Sequence, residues 1–323
     1  MKIFSKNHSS YPRVGDETKY QKLRRAYNQL DIGKITPSEL AQILDDTIEE
    51  VVNEQQDTGC DLVTDGQIRA YDPLSYLAGK IDGFEITGLL RFFDTNYLYR
   101  QPKVIGKLTY KQSLITDDFV FIQKRVEEKS SAVLFGPYSL LKMSNCENGF
   151  ESHLAEIFDI YVEEIKALEK AGAKVIQLDE PAVIHHPEDF DLITAGYKKL
   201  KAATNSVSIL LAFYFGNATP QLAKINEIPA DGFIFDFTYS PGLDQAIDGF
   251  DKDIGLGFID SRNTKMERVD DAAKQAVKLL SKVKSDTAYI TTSCGLEFLP
   301  RKRAFDKLKL CADVAGILRG GSK

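Results

Sequence analysis

Short apolar runs alternate with amphipathic stretches along almost the whole chain. The runs fall at Asp61-Leu62-Val63 and at 132–135, 174–178, 208–215, 232–237, 254–259 and 287–290. Consecutive apolar positions, rather than every second one, mark strands buried on both faces of a parallel sheet. The stretches between them carry helical spacing with readable ends. Thr36-Pro37-Ser38-Glu39 has capping-box order with Pro at the first helical position, and Leu40, Ile43, Leu44, Ile48, Val51 and Val52 continue one face until Gly59. Leu154, Ile157, Phe158, Tyr161, Val162, Ile165 and Leu168 form a second face that stops at Gly172. Two more helices are predicted at about 270–284 and 302–318.

With a first strand before Tyr11, the series contains eight strand-helix units. It predicts an α/β chain folded as one (β/α)8 TIM barrel spanning residues 1–323. One region breaks the alternation. Residues 84–112 are rich in aromatic and β-branched side chains and lack a helical period, so they read as a β-meander inserted after the second unit, near the barrel mouth.

In a barrel the functional groups sit where strands end. Here the strands are followed by Ser10-Tyr11, Thr64-Asp65-Gly66-Gln67, Gly136-Pro137, Asp179-Glu180-Pro181, Phe213-Tyr214-Phe215-Gly216, Asp236-Phe237-Thr238, Asp260-Ser261-Arg262 and Ser293-Cys294-Gly295. Asp and Ser can simply cap the following helix at any one of these places. A polar or small residue at nearly every strand end points instead to a small-molecule pocket on one rim.

Charge and composition narrow the classes. Lys+Arg 41 against Asp+Glu 47 gives 41 − 47 = −6, which opposes a dedicated nucleic-acid binder, including one built on the aromatic and basic stretch 91–100. No run reaches the roughly eighteen apolar residues of a membrane span. Cys60, Cys146, Cys294 and Cys311 are scattered without a C-x-x-C pair, which suits reduced thiols in a cytoplasmic protein better than a disulfide or zinc scaffold. Cys146 and Cys311 read as a loop thiol and a helix-face small hydrophobe, and His8 and His153 as surface residues.

Several of these segments resemble a known family. Tyr11-Pro12-Arg13-Val14-Gly15 and Lys22-Leu23-Arg24-Arg25-Ala26 look like the opening of the N-terminal barrel of cobalamin-independent methionine synthases. Arg91-Phe92-Phe93-Asp94-Thr95-Asn96-Tyr97-Leu98-Tyr99, Gln177 to Ala182, Tyr214-Phe215-Gly216, Gly257 to Asn263 and Thr292 to Leu296 follow in the family's order. The Phe-Asp-Thr-Asn-Tyr run is the most specific of them.

The resemblance implies methyl transfer from 5-methyltetrahydrofolate polyglutamate to homocysteine, a reaction in which zinc holds the thiolate and an acid protonates the folate. In the family, two barrels divide the work. The C-terminal one carries zinc on His-x-Cys, a Glu and a Cys, whereas the N-terminal one contacts the polyglutamate tail with basic side chains. In this sequence the strand expected to carry His-x-Cys reads Leu210-Leu211-Ala212-Phe213-Tyr214-Phe215, Asp236 stands for the Glu, and only Cys294 is kept. Ser261-Arg262-Asn263 stands where the proton-donating His would follow Asp260, and Gln67 where a carboxylate would follow Asp65-Gly66. Asp236 and Cys294 are an incomplete zinc site, and His185-His186 fit solvated positions better than ligand positions. The implication is that zinc is not held by this chain alone.

Arg24 and Arg91 stand where the family has Lys and keep the charge for the tail. By the same resemblance Asp65, Asp94, Asn96, Tyr97, Asp179, Glu180, Asp260 and Arg262 are candidate substrate contacts; for Asp179 and Glu180 the alternative is pairing with Arg262 or Arg69 across the mouth. The expected protein is a methionine-synthase-type methyltransferase made of the folate-side barrel, acting with a separate zinc-bearing C-terminal-type barrel. A non-catalytic binding or scaffolding paralogue is the alternative.

Overall fold

A computed structural model describes residues 1–320. In chain order it contains β1 (Lys2–Ser5), α1 (Lys22–Asp31), α2 (Pro37–Asp57), α3 (Pro73–Ala78), β2 (Ile81–Arg91), β3 (Leu98–Tyr110), α4 (Thr116–Val126), β4 (Ala132–Phe135), α5 (Pro137–Lys142) and α6 (Phe150–Lys170). There follow β5 (Val175–Asp179), α7 (Phe190–Ala202), β6 (Ser208–Phe213), α8 (Leu222–Glu227), β7 (Gly232–Asp236), α9 (Leu243–Ala246), β8 (Asp253–Ile259), α10 (Val269–Leu280), β9 (Thr287–Thr292) and α11 (Arg301–Gly320).

Seven parallel strands lie in the order β1-β9-β8-β7-β6-β5-β4. The eighth position is a minimal strand, Leu62-Val63, joined to both free edges by isolated parallel bridges to Lys6 and Ser130. Its hydrogen bonds close the ring: Leu62 N donates to Ser5 O at 3.0 Å, and Val63 N donates to Lys129 O at 2.8 Å. The predicted barrel is therefore present, with the second strand cut to two residues. Helix ends obey local chemistry. Thr36 Oγ1 accepts from Glu39 N at 3.2 Å while Glu39 Oε2 accepts from Thr36 N at 2.7 Å, the reciprocal bonds of a capping box, and α2 ends before Gly59 at φ +80°.

The period of two along each strand sorts side chains between two cores. On β6, Ile209, Leu211 and Phe213 pack outward under the helices, whereas Leu210 and Ala212 point into the barrel with Ile234, Tyr289 and Phe4. The predicted β insertion after the second unit is present as an antiparallel pair, β2 on β3, over residues 81–110. Its body leans on α3 and α6 and its turn, 92–97, folds over the mouth, where Phe92 reaches Phe135 at 6.0 Å and Phe215 at 5.8 Å between ring centres.

Candidate functional site at the barrel mouth

Asp179 and Glu180 are adjacent in sequence and face opposite ways because strand side chains alternate. Asp179 turns into the barrel. Its Oδ1 accepts from Gln177 Nε2 at 2.6 Å and its Oδ2 from Tyr214 OH at 3.2 Å. Burial raises its pKa against those hydrogen bonds and the charge of Lys6. Lys6 projects inward from the end of β1, fully buried, and its Nζ donates to the carbonyls of Asn7 at 3.0 Å and His8 at 3.1 Å. Burial pulls its pKa down while Asp179 holds it up.

Glu180 turns outward. It accepts from the backbone N–H groups of Tyr138 at 3.1 Å and Ser139 at 2.8 Å, at the start of α5, and from Tyr197 OH at 2.5 Å on α7. Burial pushes it up to about 7 despite these donors. It pins two helices to the barrel wall, and the missing side chain at Gly136 leaves it room, since a Cβ there would collide with the carboxyl group. The expected pairing of Asp179 or Glu180 with Arg262 or Arg69 is not what forms. Arg69 bonds Asp45 at 2.6 Å and Asp118 at 2.7 Å, and Arg262 lies with Asp236 at 3.2 Å.

A narrow cavity opens above Asp179, lined by Ser9, Gln67, Tyr97, Tyr214, Glu297 and Phe298 together with Phe92 and Phe135. Glu297 is the residue that the sequence reading missed. Its Oε2 is buried without a partner, and burial with the nearby charge of Asp179 lifts its pKa to about 7, opposed by its own backbone N–H and by Arg13. Ser10 Oγ is a second buried polar atom without a partner, and a Cβ at Gly295 would strike both of these atoms. Three non-glycine residues with positive φ surround the mouth: Gln67 at 53°, Phe93 at 50° and Phe215 at 61°. Strained backbone of this kind persists where surrounding packing over-determines it, commonly at binding sites.

His8 corrects another expectation. It is 1% exposed, its ring meets Tyr214 edge-on at 5.3 Å, and burial holds its pKa down to about 3, with Lys6 adding to the effect. His153 is partly buried and bonds Glu156 at 2.8 Å. His185 Nε2 lies 3.0 Å from Phe215 O, with the ring stacked on Phe93, and His186 bonds Glu188 at 3.0 Å.

Across the mouth, the residues matched to zinc ligands are engaged with one another's neighbours. Asp236 Oδ1 accepts from Thr238 N at 2.8 Å and Thr238 Oγ1 at 2.6 Å, while Oδ2 faces Arg262. Burial raises the pKa of Asp236 and Arg262 opposes the rise. Arg262 stacks 3.4 Å from the centre of the Tyr239 ring, and its backbone N–H donates to Asp260 Oδ1 at 2.8 Å. Cys294 is fully buried with Sγ 3.0 Å from Ser261 Oγ, and burial pushes its thiol well above the usual range. Among the described residues no three His, Cys, Asp or Glu side chains are grouped as a metal site, and this donor set does not fit a tetrahedral zinc centre.

Asp65 is partly buried beside the cavity, where Oδ1 accepts from Gln67 N at 3.1 Å and burial, with Asp118 adding, raises its pKa to about 6. In the hairpin turn, Tyr97 points inward and its OH donates to Tyr71 O at 2.7 Å, while Asp94 and Asn96 point to solvent. Arg91 is 63% exposed and meets only Asp94, at 3.9 Å. Arg24 instead lies in a groove beside the mouth with Arg13, Arg100, Tyr27 and Tyr71. Arg100 stacks on Tyr71 at 4.3 Å, and Arg13 Nη1 is held by Ala70 O at 2.7 Å. Arg13 also lies over Tyr71, at 5.2 Å, so three arginines against one lining acid, Asp31, give the groove a net positive charge suited to a carboxylate-rich chain.

Fold and site together define a (β/α)8 barrel with a narrow cavity on its C-terminal rim and a basic groove nearby. The family model for the N-terminal domain of cobalamin-independent synthases matches residues 79–286. The chain is 30% identical over 303 residues to the methionine synthase of Sulfurisphaera tokodaii, covering 91% of this chain and 88% of that one. It is 29% identical over 315 residues to the methionine synthase of Saccharolobus solfataricus, covering 95% and 93%. Among solved structures, the B12-independent methionine synthase from Shewanella sp. W3-18-1, in complex with selenomethionine, superposes with a TM-score of 0.81 at 20% identity over 99% of both chains. A putative vitamin-B12 independent methionine synthase from Listeria monocytogenes gives 0.71 at 18% identity over 98% of both. The chain belongs to the cobalamin-independent methionine synthase family. Among its described residues, no helix is long and apolar enough to cross a membrane.

Proposed function

We propose that this chain is the folate-side barrel of a methionine-synthase-type methyltransferase, working with a separate zinc-bearing barrel that activates homocysteine. The observation that carries the reading is the groove of Arg13, Arg24 and Arg100 against Tyr27 and Tyr71, a positive track for a polyglutamate tail that runs beside the pocket. The pteridine end would lie among the aromatic rings of the mouth, where Phe92, Tyr97, Phe215 and Phe298 exclude water. Asp179, with Glu297 beside it, supplies acceptors for ring N–H groups or for an amino group.

Zinc chemistry belongs to the other barrel in this reading, since Asp236 and Cys294 are committed to Arg262, Thr238 and Ser261. The test is a titration of the purified chain with folate monoglutamate and folate triglutamate. Triglutamate should bind more tightly, and Arg24→Ala should cost about 1.5 to 3 kcal/mol of triglutamate affinity while leaving the monoglutamate little changed. The chain alone should not methylate homocysteine and should gain activity when a zinc-bearing barrel is added. Stoichiometric tight zinc with solitary activity overturns the reading. Equal affinity for both folates, with no gain on adding a zinc-bearing barrel, favours the scaffolding alternative.

A further inference from the structure

The outer arm of the hairpin is built unlike the rest of the surface. Among the described residues β2 is hydrogen-bonded to β3 alone, and its other edge has no strand partner. Every residue from Glu85 to Arg91 is exposed, including Ile86 at 37%, Leu89 at 56% and Leu90 at 42%. Edge strands are normally blunted by Lys or Pro. Here Pro102, Lys103 and Lys107 all lie on β3, and the segment 85–91 contains neither residue type.

The order of this segment is self-complementary. Glu85 stands at one end and Arg91 at the other, with Ile86, Leu89 and Leu90 between them and Gly88 at the middle. We propose that β2 pairs antiparallel with β2 of a second copy of this chain about a two-fold axis at Gly88. In that register Glu85 faces Arg91 of the partner subunit, Ile86 faces Leu90 of the partner subunit, and Thr87 faces Leu89 of the partner subunit. The two-fold repeats each contact, as an isologous interface requires. Shifting by one residue sets Glu85 against a leucine or Ile86 against an arginine, so the Gly88 register is the one that opposes Glu85 with Arg91 and Ile86 with Leu90, leaving only Thr87 and Leu89 unlike.

Gly88 suits the axis because a side chain is absent there and the space beside it is open; a Cβ would meet nothing within 4 Å. One of the two irregularities of β2, that between Ile86 and Leu89, falls at the same point, and Thr87 Oγ1 donates to Gln101 O at 2.8 Å there. Neither end charge is strongly engaged at home. Among the described residues Glu85 makes no salt bridge, and Arg91 meets only Asp94 at 3.9 Å. Seven paired residues span about 24 Å, a small interface that gives a reversible dimer rather than an obligate one. This pairing does not depend on the folate reading.

Sedimentation equilibrium of the full chain over a concentration series tests it. The expected result is a monomer–dimer equilibrium that Glu85→Arg weakens by about tenfold, because two attractive pairs become repulsive. The double change Glu85→Arg with Arg91→Glu should bring the dimer back to near its original strength. Both positions are solvent-exposed, so folding is retained, and circular dichroism verifies it. A chain that stays monomeric into the hundreds of micromolar, or a dimer untouched by the single reversal or not restored by the double one, overturns the proposal.

Discussion

Where β5 and β9 end, the barrel mouth leaves acceptors open: Glu297 Oε2 and Ser10 Oγ are buried without partners around the cavity above Asp179. Where β7 and β8 end, the acid instead has a cation beside it: Asp236 Oδ1 accepts from Thr238 and Oδ2 lies 3.2 Å from Arg262, although Asp236 Oδ2 and Arg262 Nε and Nη1 are themselves buried without hydrogen-bond partners, and Cys294, just past β9, lies against Ser261. Both halves hold buried acidic groups with raised pKa values. In the first half Asp179 has donors, but Glu297 Oε2 has no hydrogen-bond partner and is available to a ligand. In the second the cost of burying Asp236 is opposed by an internal cation.

The largest test breaks the cation-paired half. Replacing Arg262 by Met removes the cation beside Asp236, and breaking a buried pair by deleting one partner costs about 3 kcal/mol or more. Urea denaturation at pH 7 should show that loss. It should shrink at pH 5, because an unpaired buried Asp236 takes up a proton in the native state. A loss well under 1 kcal/mol at pH 7 would mean that water already serves Asp236 and that the two halves do not differ as described.

The open half is tested by its pH dependence. Glu297 has a folded pKa of about 7 against an ordinary value of 4.5. Between those values the native state holds a proton that the unfolded chain has released, so stability falls as pH rises through that window. Glu180, also raised to about 7, and Asp65, raised to about 6, act in the same direction. Glu297→Gln should make the decline in urea midpoint from pH 5 to pH 7 shallower without abolishing it. An unchanged slope would show that Glu297 ionises freely in the folded protein.

Much of this architecture was legible in the chain. Continuous apolar runs give seven of the eight strand positions, and the capping box at Thr36 and the stop at Gly59 mark α2 closely. Even Leu62-Val63, too short to form a regular strand, was visible as a run. The mouth was legible in part. Strand ends point to Asp179 and Asp236, but Asp179 and Glu180 look equivalent in sequence until the period of two sends one inward and one under α5 and α7. Lys6, His8 and Glu297 read as surface residues or escaped notice because their burial comes from ring closure, which brings together groups far apart in the chain. Arg91, read as a tail contact from the family resemblance, is exposed at the end of β2, while Arg100, on the other strand of the same hairpin, lines the groove with Arg24.

The smallest effect is expected at Cys294, which makes it the sharpest discriminator between a cation-paired half and a latent metal site. Its thiol is held well above the usual range by burial, so the thiolate that zinc requires is disfavoured, and its Sγ contacts a hydroxyl that a serine would also satisfy. Cys294→Ser should therefore change stability by about 1 kcal/mol or less. Metal analysis of the purified protein should give the same zinc content for both forms. A fall in zinc on Cys294→Ser would instead show that this half rearranges to coordinate the ion, with Arg262 displaced from Asp236, and would make it the reactive half of the mouth.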